Sequence, residues 1–116
     1  MKIITIRNLK EAKKKIQSIG ALPPGVEIMA EKTLTKVIEI KNVRSPIANI
    51  LKQEMLAIGG DTAVHAKCAA CQIEKSTILI IGTIRQLRRL ITKLKTQVSE
   101  LPKYAKELEQ ILKLET

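Results

Sequence analysis

No tryptophan or phenylalanine occurs in the 116 residues, and Tyr104 is the sole aromatic side chain. That removes the stacking platforms on which single-strand nucleic-acid binders lay bases, and the aromatic anchors of a membrane-surface helix. No apolar run approaches the roughly 20 residues needed to cross a bilayer. The opening stretch MKIITIRNLKEAKKK turns basic too soon for a secretory signal. The expected location is cytoplasmic, with no membrane partner and with the two cysteines kept reduced. Histidine occurs once, carboxylates are scattered and no serine stands in an activating context. No general acid–base pair can be named, so the chain is not expected to be an enzyme by itself. Neither a Walker pattern nor G-x-G-x-x-G is present, and no cofactor is expected.

What remains is aliphatic and basic. A chain of this length buries roughly two-thirds of its extended surface on folding, enough for one core without staples, and Ile and Leu must fill it. The 21 Lys and Arg against 11 Asp and Glu leave a net charge of +10. Such a charge attracts polyanions at long range, whether nucleic acid, anionic lipid or a phosphorylated ligand; much of it serves equally well as solvated surface.

Periodicity divides the chain into strands and helices. Residues 2–6, KIITI, read as a short β-branched strand. Asn8 then caps a helix whose Leu9, Ala12, Ile16 and Ile19 share one face, and Gly20 stops it. ALPPGVEIM reads as a connector leading into a short extended segment. TKVIEIKNV, residues 35–43, alternates as a strand. Ser45 is expected to cap the next helix, with Pro46 in its first turn. That helix carries Ile47, Leu51, Met55 and Ile58 on one face, widened by Ala48 and Ile50, and ends at Gly59-Gly60. TAVHA is a brief strand candidate, and STILIIGT a stronger one whose continuous apolar run predicts cover on both faces. In IRQLRRLITKLKTQV, Ile84, Leu87, Leu90, Ile91, Leu94 and Val98 form an apolar stripe. A last helix carries Leu101, Tyr104, Leu108 and Leu112, with Pro102 in its first turn. The alternation predicts a single α/β domain over residues 1–116, with a mixed or parallel central sheet, flanking helices and a C-terminal helix.

Three motifs invite chemistry. His65, Cys68 and Cys71 could act as a small metal or redox site, with Asp61 as a fourth ligand, but the second Cys-x-x-Cys pair of a structural zinc site is missing. A redox cysteine usually sits at a helix N-terminus, whereas Cys71 leads toward a strand, so packing among the neighbouring alanines is the simpler account. Gly59, Gly60 and Asp61 follow a helix, and Gly82 and Thr83 open one, so their N–H groups could approach an anion; capping accounts for both as well. Arg85, Arg88, Arg89, Lys93 and Lys95 lie in an acid-free stretch. They read as an electrostatic docking surface, as a nucleic-acid interface on helix 84–98, or as a solvated face.

GVEIMAEKTLTKVIEIKNVRSPIANILKQEMLAIGGDTAV and STILIIGTIRQLRRLITKLKTQ resemble the accessory N-terminal domain that precedes the catalytic barrel in some bacterial dihydropteroate synthases. The likeness covers nearly the whole chain. Its most specific parts are residues 48–55, Gly59-Gly60-Asp61, and Gly82-Thr83 with Gln86-Leu87. The synthases condense a pterin pyrophosphate with 4-aminobenzoate on a TIM barrel. Their Asn-x-Thr-Pro-Asp-Ser-Phe loop is absent here, so no catalytic residue carries over. The resemblance implies a non-catalytic domain of the folate pathway that docks on a synthase barrel or another pathway protein, or binds an anionic, pterin-like ligand. Asn49, Gln53, Gly59, Gly60, Asp61, Gly82 and Thr83 would form its site, and the basic helix the rim.

Overall fold

A computed structural model describes residues 1–115. The chain runs through α1 (Leu9–Ser18), α2 (Pro23–Lys32), β1 (Thr35–Arg44), α3 (Ser45–Ile58), β2 (Asp61–Ala63), β3 (Lys75–Thr83), α4 (Ile84–Lys95) and α5 (Leu101–Glu115). The α/β class is as expected; the direction of the strands is not. The sheet has the order β1-β3-β2, and β3 runs antiparallel to both neighbours. β1 and β2 are therefore parallel to each other, as a strand–helix–strand unit requires, but β3 is inserted between them. The sequence order implies the crossover through α3; it does not reveal the insertion.

Register decides which residues meet the helices. Ile38 pairs with Ile80, Ile40 with Ile78, and Thr62 with Ile80, placing these side chains on one face. Against them pack Ile47, Leu51, Met55 and Ile58 of α3, and Leu87, Leu90 and Leu94 of α4. Leu101, Tyr104, Leu108 and Leu112 of α5 complete the cluster. The opposite face carries Val37, Glu39, Leu79, Ile81, Asp61 and Ala63 in register. There Val37 is 60% exposed, and Leu79 and Ile81 are half-buried. The unbroken apolar run of β3 thus marks a central strand, not a sheet covered on both sides.

The first 34 residues form an arm. Asn8 caps α1 as expected, its Oδ1 accepting from the Glu11 N–H at 2.9 Å. Gly20 follows the helix at φ +89°. Residues 2–6 form no strand, and ALPPGVEIM is not a connector: most of it lies in α2, with both prolines in the first turn. Proline costs least there, since the first helical N–H groups have no intrahelical acceptor. α1 and α2 meet through Ala12, Val26 and Ala30, with Lys13 paired to Glu27 at 2.9 Å. Ile19 remains 79% exposed and Leu22 80%. The arm joins the body where Glu31 of α2 takes Arg85 (3.3 Å) and Arg88 (2.5 Å) of α4, and where the Ile84 N–H donates to Leu34 O. A compact chain of this length has a radius of gyration of about 13 Å; the 16.0 Å found here reflects the projecting arm.

Ser45 does not cap α3. Arg44 holds the N-cap position without a side-chain bond, while the Ser45 hydroxyl donates to Ile73 O and its N–H to Glu74 O at 3.0 Å. Serine here ties the helix start to the loop before β3, and Pro46 occupies the first turn. The stop at Gly59 is as expected, at φ +109°.

Candidate functional site

The residues predicted to form one site separate into two places. Gly59, Gly60, Gly82 and Thr83 do come together, at the end of α3 and the start of α4, but the space between them is filled. A Cβ on Gly60 would meet Met55 Cε and, at 2.6 Å, the Ile81 carbonyl; one on Gly82 would meet Met55 Cε at 2.5 Å and Gln86 Oε1 at 3.1 Å. The α4 N-terminus supplies its own cap: Thr83 Oγ1 accepts from the Gln86 N–H at 3.1 Å, and Gln86 Oε1 accepts from the Thr83 N–H at 2.9 Å. The Ile84 N–H is already bonded to Leu34 O. An anion would compete with these bonds, so the glycines serve close packing and not a phosphate cradle.

Asn49 and Gln53 lie farther back on α3; Asn49 is ten residues from Gly59, about 15 Å along the helix axis. They open onto a cleft of about 520 Å³ lined by Asn49, Lys52, Gln53, Val64, His65 and Ala66. Asn49 Nδ2 donates to Cys68 O at 3.0 Å, fixing the cleft's loop wall to the helix. Lys52 Nζ donates to Asp61 Oδ1 and to Thr62 O, both at 2.9 Å. His65 Nδ1 accepts from the Lys67 N–H at 3.0 Å, so the neutral ring carries its proton on Nε2 as a donor. Lys52 and Asn49 already donate to Asp61, Thr62 O and Cys68 O, and the Gln53 amide and the His65 ring face the same opening.

Asp61 has a lowered pKa, first because Lys52 donates to its carboxylate and second because the Thr62 N–H does so too. A depressed carboxyl stabilises the fold above its unfolded-state pKa, and that contribution is lost as the pH falls through the folded-state value. Lys52→Met is therefore expected to raise the Asp61 pKa toward its ordinary 3.8, as read by NMR titration. An Asp61 that titrates unchanged would mean the pair does not persist in solution.

His65, Cys68 and Cys71 do not converge. Cys68 is fully buried, its Sγ 3.6 Å from Ser45 O, whereas Cys71 is exposed at φ +53° and the two thiols are unbonded. Among the described residues no group of three His, Cys, Asp or Glu side chains could hold a metal ion. The reason is local: 66–71 winds in tight turns, the Cys68 N–H donating to His65 O and the Cys71 N–H to Cys68 O. Packing accounts for Cys68 but not for Cys71. A thiol reagent should titrate one cysteine in the native protein and two after unfolding. Two fast thiols in the native state would contradict the burial of Cys68.

The acid-free helix is not free of acids in three dimensions. Glu31 takes Arg85 and Arg88, Glu54 takes Lys93 at 3.4 Å and Glu109 takes Lys95 at 2.9 Å. Of the five predicted docking residues, Arg89 has no ion pair among the described residues. Most of the expected electrostatic surface is a set of internal ties from α4 to its neighbours.

With that geometry in place, comparison with known proteins adds one relation. The chain is similar to part of a bifunctional enzyme. It is 32% identical over 111 residues to the bifunctional dihydropteroate synthase/dihydropteroate reductase of Helicobacter pylori (strain ATCC 700392 / 26695). The match takes in 96% of this chain and 29% of that relative, so the chain spans under a third of its length. No family model and no solved structure matches the chain. Among the described residues no helix is long and apolar enough to cross a membrane.

Sequence reasoning missed Lys52, Met55 as the plug at Gly60 and Gly82, and Glu31 as the link between arm and body. Gln86 was legible, because Thr83-Ile84-Arg85-Gln86 has the spacing of a capping box. Glu31 and Lys52 gave no such signal: each finds its partner on another element.

Proposed function

We propose that the chain is the non-barrel module of a folate-pathway synthase, and that it acts by docking on the catalytic barrel or on another pathway protein. The observation that carries this reading is the similarity along nearly all of the chain to under a third of a bifunctional synthase/reductase. The chain lacks the synthase loop signature, which argues that the shared portion is not the signature-bearing barrel. Exposed Ile19, Leu22, Ile28 and Met29 on the arm give the module an apolar surface to offer. The cleft of Asn49, Lys52, Gln53 and His65 is the place where an anionic or pterin-like ligand would bind. Gel filtration of an equimolar mixture with a dihydropteroate synthase barrel should yield a co-eluting complex; separate elution at low and moderate salt would sink the docking reading.

A second reading follows from the relative's name, which joins a synthase to a dihydropteroate reductase. A chain without the synthase signature could belong to the reductase half. That reaction moves a hydride from a reduced nicotinamide or flavin, with one proton from solvent, onto a C=N bond of dihydropteroate. Oxidation of the donor that requires both this chain and dihydropteroate would favour it; no turnover with either donor class would remove it. Nucleic-acid binding on the helix 84–98 loses support from the ion pairs, since their cations already have carboxylate partners.

A further inference from the structure

Residues 2–6 have a strand's composition and no strand to pair with. Ile3 is fully exposed and Ile4 is 44% exposed, in a segment with no regular structure lying along α1. β1 is an edge strand, hydrogen-bonded to β3 on one side and, among the described residues, to no strand on the other. A long edge of this kind is a template for another extended segment.

The edge borders a groove shaped for one. Between β1 and α5 lies a space of about 200 Å³ lined by Ile38, Ile40, Tyr104, Leu108 and Ile111. It continues past Val37 and Leu112 into a second of about 350 Å³. Tyr104 lines this groove and is 7% exposed. Burial first, then Glu100 and Glu107, holds the phenol proton on above its ordinary pKa, so it remains a donor. A main-chain carbonyl entering the groove would accept from it.

We propose that residues 2–6 of a second copy add to the free edge of β1, making a strand-exchanged dimer. Alternation places Ile4 and Ile6 on one side of the added strand and Ile3 and Thr5 on the other. Ile4 and Ile6 then cover Ile38, Ile40 and Ile111, while Ile3 meets exposed Val37 on the open face. Lys2 shares the side of Ile4 and Ile6, where Glu107 of α5 lines the groove and complements it. Because the exchange is reciprocal, one pairing used twice closes the assembly at two copies.

Light scattering across a concentration series tests this. The full chain should approach twice its 12.9 kDa mass, and Ile4→Asp with Ile6→Asp should weaken that association by at least about tenfold. These residues lie outside the core cluster, so circular dichroism should be unchanged. A labelled peptide of residues 1–8 should bind the doubly substituted protein, and Glu107→Lys should weaken that binding. A monomer at every concentration, a dimer indifferent to the two aspartates, or a peptide that fails to bind would each overturn the proposal.

Discussion

Gly60→Ala is expected to destabilise the chain by about 3 kcal/mol in urea titration, the upper range for a side chain forced into a filled space. Its new Cβ would press on the Ile81 carbonyl at 2.6 Å as well as on Met55 Cε. The methionine tip can turn away, but the carbonyl belongs to the central strand and cannot move without disturbing both of its pairings. Gly82→Ala meets side chains and no backbone, Met55 Cε and Gln86, and should cost about 1 kcal/mol. If these glycines instead cradled a ligand, both alanines would leave stability nearly unmoved and weaken binding. The size and order of the two losses therefore separate a packed junction from a binding loop.

Leu87→Ala should cost about 3 kcal/mol, the usual loss when a buried leucine leaves a cavity. Leu87 is fully buried in the cluster that joins the sheet to α3, α4 and α5. Val98→Ala, at a position assigned to the same helical stripe by spacing alone, should fall within about 0.5 kcal/mol of no change. Val98 is 78% exposed because α4 ends at Lys95 and the chain turns through Ser99 at φ +63° into α5. Comparable losses at both positions would mean that α4 extends further than described.

That pair also marks how far the sequence could be read. Faces of α3, α4 and α5 were legible because each carries an apolar stripe against a single core, and Asn8, Gly20 and Gly59 punctuate the chain through local bonds or positive φ. What escaped depended on partners distant in sequence. Ser45 looked like a cap because serine before proline often is one, yet its hydroxyl reaches Ile73, 28 residues away. The basic stretch 85–95 looked uncompensated until Glu31, Glu54 and Glu109 arrived from three other helices. The parallel relation of β1 and β2 was implied by the crossover, whereas the insertion of β3 between them is a matter of pairing that no local pattern encodes.

The candidate site was legible in part for the same reason. Asn49 and Gln53 do face a cleft, but its other wall is the loop carrying His65, which the sequence presented as a metal motif. Gly59, Gly60, Gly82 and Thr83 lie close together, where they serve packing and capping.

Docking on a synthase is tested most directly by amide hydrogen exchange on this chain, alone and mixed with a dihydropteroate synthase barrel. The proposal predicts slowed exchange in α1 and α2, where Ile19, Leu22, Ile28 and Met29 are exposed, with the core strand β3 unchanged. Identical exchange in every segment, with and without the barrel, would contradict it.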